Sequence, residues 1–387
     1  MTEMTFGGRP VPLADPSILG RWWRSVDQWT IWAVGLLFLI GMVLGLAASP
    51  PLAARNGLPH FHYVTRQAVF GVAGLGVMLV LSLATPRQLR RLSTLGFLAV
   101  FASVLMLPVF GTDFGKGAVR WYSLGFASVQ PSEFLKPFFV VFAAWLLSAS
   151  AQPNGPPGAL MSVVVAAAVA ASLAIQPDFG QAALILAVWG AMYFVAGAPL
   201  LLLGLIGGAV LGAGVFFYGA SQHFARRIDA FLAADVQPLT QMGFVTDAIL
   251  AGGLFGVGVG EGTVKWSLPD AHTDFIIAVA AEEYGLMLCL LIIGLFIFVV
   301  TRAFGRLMRE RDAFNRLAGV GLAALLGLQA LINLGVAIRL FPAKGMTLPL
   351  ISYGGSSALA IGIGLGMLLA FTRRRPQHDA VELMAWR

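Results

Sequence analysis

Long apolar stretches separated by short polar ones run the length of the chain. Ten such runs fall at 30–49, 64–84, 93–110, 133–150, 159–176, 179–197, 199–219, 274–301, 317–340 and 350–372. A hydrocarbon core of about 30 Å asks about 20 residues of a helix, so each run predicts a membrane-spanning helix. The short alternating segments that mark a membrane β-barrel are not seen. The expected fold class is therefore all-α, a polytopic integral membrane protein of about 10 transmembrane helices. The sixth and seventh runs almost touch, which predicts a tight hairpin around Gly197-Ala198-Pro199. The count becomes nine if one of that pair is re-entrant.

The polar segments set the orientation. Arg87, Arg90 and Arg91 share one loop, and Arg302, Arg306, Arg309, Arg311 and Arg316 share another. Arg373, Arg374 and Arg375 follow the last run. Cytoplasmic loops collect Lys and Arg, so all of these belong inside and both termini are expected there, N-in and C-in. Residues 1–29 then form a cytoplasmic N-terminal segment, 30–372 a single transmembrane domain and 373–387 a cytoplasmic tail. The polar opening, with Arg21, Trp22, Trp23 and Arg24, does not read as a cleavable signal peptide. The external segments are 50–63, 111–132, a short turn near 177, 220–273 and 341–349. The long external loop at 220–273, between helices 7 and 8, is expected to carry short helices or to lie along the membrane surface.

Composition agrees with this picture. Hydrophobic residues make up 58% of the 387 and charged residues only 11%, against about 25% charged in soluble domains. The net charge of +7 sits between apolar runs rather than on one face, which argues against a nucleic-acid partner. The single cysteine, Cys289, lies within an apolar run, so one chain offers neither a disulfide nor a cysteine-based metal site.

The external segments hold the candidate chemistry. Lys116-Gly117-Ala118-Val119-Arg120-Trp121 precedes Gln130-Pro131-Ser132-Glu133 and Lys136. Gln176-Pro177-Asp178-Phe179-Gly180 follows, then Lys265-Trp266, His272-Thr273-Asp274-Phe275, and Glu282 with Glu283. Arg339, Phe341-Pro342-Ala343-Lys344-Gly345 and Ser352-Tyr353-Gly354-Gly355-Ser356-Ser357 close the series. Lysines and arginines at span ends are as readily explained by snorkelling to the interface. That explanation fails for Asp178, Asp274, Glu282 and Glu283. A carboxylate inside a span costs roughly 2.5–3.5 kcal/mol at the centre, so each implies a partner or a role. An ion pair of these carboxylates with Arg339 or Lys136 is one such partner. His272 alone is a poor metal site and serves equally to orient Asp274. The Gly354-Gly355 pair follows no strand and reads as a helix break rather than a phosphate loop.

These motifs, in this order, resemble the SEDS family of FtsW, RodA and SpoVE proteins over nearly the whole chain. The stretch Phe341–Pro349 with Ile351-Ser352-Tyr353 is more similar to the division branch, FtsW, than to the elongation branch, RodA. The sequence departs from the family at Asp270, where Glu is common, at Ala343, where Thr is common, and at Gln181, in place of a small hydroxyl residue. The resemblance implies a peptidoglycan glycosyltransferase of the bacterial cytoplasmic (inner) membrane. It would face the periplasm or cell exterior, act at the division septum, and polymerise lipid II with release of undecaprenyl diphosphate.

Such a reaction needs a base for the acceptor hydroxyl and cations for the departing diphosphate. Asp274 matches the family's catalytic aspartate and is the expected base. The expected substrate-binding residues are Lys116, Arg120, Glu133, Lys136, Lys265, His272, Lys344 and Ser356, and Glu133 is also a candidate either to order one of these lysines or to help bind a divalent metal. Asp178, Glu282, Glu283 and Arg339 are assigned structural or supporting roles. A divalent cation, Mg or Mn, is a candidate companion of the diphosphate; no organic cofactor is expected. The implied partners are lipid II, membrane lipid, a class B penicillin-binding transpeptidase and other division proteins. Two alternatives stand beside this reading: a lipid II flippase and a RodA-like elongation polymerase.

Overall fold

The computed structural model describes residues 17–113, 119–125, 127–152, 155–197, 200–233, 240–342 and 345–374. Lys116 and Lys344 lie outside the described residues, as do Ala198 and Pro199 of the expected hairpin. The chain is an all-α integral membrane protein, and each of the ten apolar runs is a helix. A short helix α1 (Ile18–Ser25) leads into α2 (Gln28–Arg55), α3 (His62–Ser82) and α4 (Pro86–Phe110). A small hairpin, β1 (Tyr122–Ser123) with β2 (Ser128–Val129), precedes α5 (Pro131–Ser150), α6 (Gly158–Ile175), α7 (Phe179–Val195) and α8 (Leu200–Ala220). The long external loop carries α9 (Gln222–Leu232), α10 (Gln241–Gly252) and a 3-10 turn at Val264–Trp266. Helices α11 (Ile276–Leu307), α12 (Ala313–Ala337) and α13 (Gly355–Phe371) complete the bundle.

Seven of these, α2 to α6, α11 and α12, are each long and apolar enough to cross a membrane. Helices α7 and α13 have 17 residues each, about 25 Å of rise. Helix α8 passes the same test only together with α9, to which it is bent by 105°.

Local sequence explains where the helices start. Thr85 accepts a hydrogen bond from Gln88 N while the Gln88 side chain returns to the Thr85 backbone, and Pro86 occupies the first turn. This capping box places the start of α4 seven residues before the apolar run that announces it. Asp312 caps α12 through Asn315 N at 2.8 Å in the same manner.

Helices α5 and α12 form the centre and are largely buried, whereas α2, α3, α4 and α6 turn large apolar side chains outward to lipid. The closest seam joins α3 to α13. A Cβ at Gly74 would stand 2.6 Å from the Ala358 carbonyl, and one at Gly362 would strike the Gly74 carbonyl. Small residues here let two backbones meet, as membrane helices do when dispersion replaces the hydrophobic effect.

The arginine-rich end is locked by a buried carboxylate that the sequence reading passed over. Asp27, 1% exposed, accepts from Arg302 Nε at 2.6 Å and from Thr30 Oγ1 at 3.0 Å, and pairs with Arg306 at 3.2 Å. Arg373 adds bonds to Ser25 Oγ and to the Ser82 and Leu83 carbonyls. The termini of α1, α3, α11 and α13 are thereby held together.

Candidate active site

At the opposite end from that clasp the helix starts surround a cavity of about 550 Å³. Five of the expected site residues line it: Arg120, Glu133, His272, Asp274 and Ser356. Arg66, Trp121, Gln130, Asp270, Tyr353 and Ser357 line it as well. Arg66 escaped sequence reading because it sits inside the apolar run of α3 with no motif around it.

Asp274 precedes α11 in a tight turn. Asp270 adopts φ +53°, a left-handed conformation that Asp tolerates better than most residues. Its carbonyl then accepts from the amides of Thr273 and Asp274, both at 3.1 Å. The His272 carbonyl accepts from Tyr353 N at 2.9 Å, which joins this turn to the segment before α13. The His272 ring packs 5.5 Å, centroid to centroid, from both Tyr63 and Tyr353, and these two rings lie 5.5 Å apart in their turn. The His272 ring is thus held in an aromatic cluster at the cavity wall.

Arg120 is oriented by the turn between α6 and α7. Its Nε donates to the Gln176 carbonyl at 3.1 Å and its Nη2 to the Pro177 carbonyl at 2.6 Å. Asp178 lies 3.9 Å from Nη1. Burial pushes the Asp178 carboxyl above the usual carboxylate range, against the pull of the Arg120 guanidinium. Asp178 is 4% exposed and does not line the cavity, so it works through Arg120. Ser356 Oγ accepts from Gln130 N at 3.1 Å and donates to the Ser128 carbonyl at 3.3 Å, so it ties α13 to the start of α5.

Glu133 forms part of the cavity wall, but Lys136 lies behind it. Lys136 Nζ donates to both Glu133 oxygens and to Gln329 Oε1, each at 3.0 Å. Gln181 Nε2 donates to Glu133 at 2.6 Å, which gives the unusual residue at this position a definite task. Lys136 is 2% exposed. It therefore orders Glu133 and does not reach the cavity as a free ammonium, contrary to the expected substrate contact.

Lys265, Glu282 and Glu283 form a separate buried group. Glu282 accepts from the amides of Thr263 and Val264 at 2.7 Å and of Lys265 at 3.2 Å. Lys265 Nζ pairs with Glu283. Helix α11 is broken beside them at Gly285, φ +76°, and the loop fills the break. Val257 N donates to the Glu282 carbonyl, Gly258 N to the Glu283 carbonyl and Leu286 N to the Gly253 carbonyl. A helix interrupted within a membrane must have its freed backbone groups met by protein, and this loop meets them. Lys265 accordingly anchors a loop and does not line the cavity, while Glu282 and Glu283 keep their structural assignment. Arg339 lies apart too, donating to the Ala233 carbonyl at 3.0 Å. The pairings of Glu282 and Glu283 are thus with the loop, not with Arg339 or Lys136.

No three His, Cys, Asp or Glu side chains gather to hold a metal ion among the described residues. Mg or Mn commonly takes only one or two carboxylates, with substrate phosphates and water completing its shell, and Asp270 and Asp274 both line the cavity.

Comparison with known proteins adds the following. Residues 28–377 match the FtsW/RodA/SpoVE family, described as cell cycle proteins. The chain is 43% identical over 364 residues to the probable peptidoglycan glycosyltransferase FtsW of Caulobacter vibrioides, covering 94% of this chain and 93% of that one. It is 36% identical to the FtsW of Halorhodospira halophila, with 90% of each chain covered. Among solved structures it resembles a chain from a study of polymerization and crosslinking by a peptidoglycan synthase complex, with TM-score 0.73 and 28% identity. It also resembles the rod shape determining protein RodA of Thermus thermophilus, with TM-score 0.67 and 27% identity. Both alignments cover 90% of this chain and 97% of the other.

Proposed function

Because the chain belongs to the FtsW/RodA/SpoVE family, we propose that it is a peptidoglycan glycosyltransferase that polymerises lipid II into glycan strands during cell division and releases undecaprenyl diphosphate. The observation that carries this reading is the cavity. It brings the Asp274 carboxylate, flanked by those of Asp270 and Glu133, together with the guanidinium groups of Arg66 and Arg120.

In this reading the acceptor sugar's hydroxyl oxygen attacks the anomeric carbon of the donor as the bond from that carbon to the diphosphate oxygen breaks. Asp274 takes the hydroxyl proton. Arg120 and Arg66 meet the negative charge that builds on the departing diphosphate, and the guanidinium fork suits its oxygens. One displacement inverts the anomeric centre, so no enzyme nucleophile enters. Glu133, held by Lys136 and Gln181, keeps a fixed charge at the cavity wall.

The ten helices all span the bacterial cytoplasmic membrane in this reading, both termini lie inside, and the cavity opens outward at the septum. The clasp around Asp27 supports this, since it gathers Arg302, Arg306 and Arg373 at the end away from the cavity. A class B penicillin-binding transpeptidase is the partner that would crosslink the product. The similarity to a chain of a peptidoglycan synthase complex supports that pairing.

The test is polymerisation of lipid II by the full-length protein together with its transpeptidase, comparing wild type with Asp274→Asn. Loss of glycan strands is expected, by a factor of about 10² or more from removal of a positioned base. Strand synthesis at the wild-type rate by the variant would remove Asp274 from this role.

A further inference from the structure

We infer that Asn333 is a positioning residue for Asp274. It holds the main chain of the proposed base against the rigid centre of the bundle, and this rests on the reading of Asp274 given above.

The need for such a residue follows from how Asp274 is attached. It stands just before α11, and the helix does not support it in the ordinary way. The amide of Ala278, four residues on, donates to the Phe275 carbonyl at 2.9 Å, a 3-10 contact rather than a full α-helical turn onto Asp274. Further along, α11 is interrupted at Gly285. The two turns of helix behind Asp274 are therefore a short unit, separated from the long lipid-facing half. Its position must be fixed from outside.

Asn333 does this from α12, the most buried of the spans. Its side chain is 3% exposed. One amide nitrogen, Nδ2, donates to the Asp274 carbonyl at 2.9 Å and to the Met346 carbonyl at 2.6 Å. One turn earlier on the same face, Gln329 Nε2 donates to the Thr347 carbonyl at 3.1 Å, while its Oε1 receives Lys136. Two amides at i and i+4 thus pin both cavity loops to one helix, and Asn333 is the one that reaches the residue bearing the base. A donor between two carbonyls also keeps them apart at a set spacing, since carbonyl oxygens repel when nothing lies between them. A reacting group needs placing within about 0.5 Å of its productive position, and a misplacement of 1 Å can cost about 10²-fold in rate.

The experiment measures lipid II polymerisation at varied substrate concentration for wild type, Asn333→Leu and Asp274→Asn, each full length with the transpeptidase. Asn333→Leu keeps the branched shape at a larger volume and removes the donor. The expected result is a kcat lowered about 10- to 100-fold, with KM within about twofold of wild type and an apparent melting midpoint close to it. If Asn333→Leu does not fold, Asn333→Asp, which has the same shape and no fixed donor when ionised, is read by the same criteria. A kcat within about threefold of wild type, while Asp274→Asn is inactive, overturns this inference alone. A loss of rate that merely follows the loss of folded protein makes Asn333 a packing residue and overturns it as well. Full activity of Asp274→Asn instead overturns the assignment of the base, whatever Asn333 does.

Discussion

Replacing Lys136 by Met tests the buried polar centre of the bundle directly. Lys136 Nζ stands 3.0 Å from Glu133 Oε1, with the two side chains 3% and 6% exposed. At an effective dielectric of about 20, two unit charges at that distance attract by about 5–6 kcal/mol. Much of this offsets the cost of taking both charges out of water, so the intact pair adds little net stability. Removing one partner is different, because it strands Glu133 with Gln181 as its remaining donor in this group. The cost is then roughly 3–5 kcal/mol. At about 2 °C per kcal/mol for a chain of this size, the apparent melting midpoint should fall by about 6–10 °C. Glu133→Gln alone should cost a similar amount, since it strands the ammonium. The double variant removes both charges and should recover to within about 1–2 kcal/mol of wild type. The assay is scanning fluorimetry of the four proteins in one detergent at one heating rate, because unfolding of a protein this large is read as an operational midpoint. Additive shifts, with the double variant lower than either single one, would refute the claim that these residues act as a neutralised pair.

Two further predictions are independent of that pair. Arg120→Lys keeps the charge but loses the fork that grips the Gln176 and Pro177 carbonyls. Polymerisation should fall about 10- to 100-fold while the melting midpoint stays within a few degrees, as expected where planar geometry matters more than charge. Gly285→Ala places a Cβ against the Leu254 carbonyl and the Gly256 amide at a φ that other residues avoid. It should cost about 2–4 kcal/mol, seen as a lower midpoint and as faster amide exchange across 253–258; unchanged exchange would mean that the loop does not depend on this break.

The fold was legible because membrane helices announce themselves by length. All ten apolar runs became helices, with α11 broken at Gly285 and the ends shifted elsewhere, as at α4, whose first turn is polar and is fixed by the Thr85 capping box instead of by hydrophobicity. The site was legible in part. Asp274, Arg120 and Glu133 are charged residues beside apolar runs, where their cost makes them conspicuous. Gln329 and Asn333 were invisible for the opposite reason: uncharged amides inside a span carry little penalty that a reader could notice, and their partners are backbone carbonyls with no sequence signature. Lys136 and Lys265 show a third limit. Sequence marks a lysine as costly but not whether a carboxylate already holds it, and here Glu133 and Glu283 do. Asp27 was overlooked because it precedes the first run, yet two long-range arginine pairs and a local bond from Thr30 hold it.

The location of the chemistry follows from which helix ends the cavity collects. Arg66 lies near the start of α3, Glu133 in the first turn of α5, Asp274 just before α11, and Ser356 and Ser357 at the start of α13. Asp178, which steadies Arg120, stands immediately before α7. These five helices are the even-numbered members of the ten, so with the N-terminus inside they all begin at the outer face. A helix start carries unsatisfied amide groups and about half a positive charge. Four of them, those of α3, α5, α11 and α13, converge on the cavity and give a polar region able to receive an anion without placing many lysines in the bilayer, where each would cost several kcal/mol. The odd-numbered helices begin at the other face, where the arginines of α11 gather on Asp27 and Arg373 binds Ser25 and the end of α3 instead. The alternation that any hairpin-connected bundle imposes thus separates a face suited to a departing diphosphate from one suited to holding the bundle together. A chain with the same helices and an external N-terminus would turn the cavity toward the cytoplasm, so in the proposed topology the positive-inside arginines would orient the reaction as well as the protein.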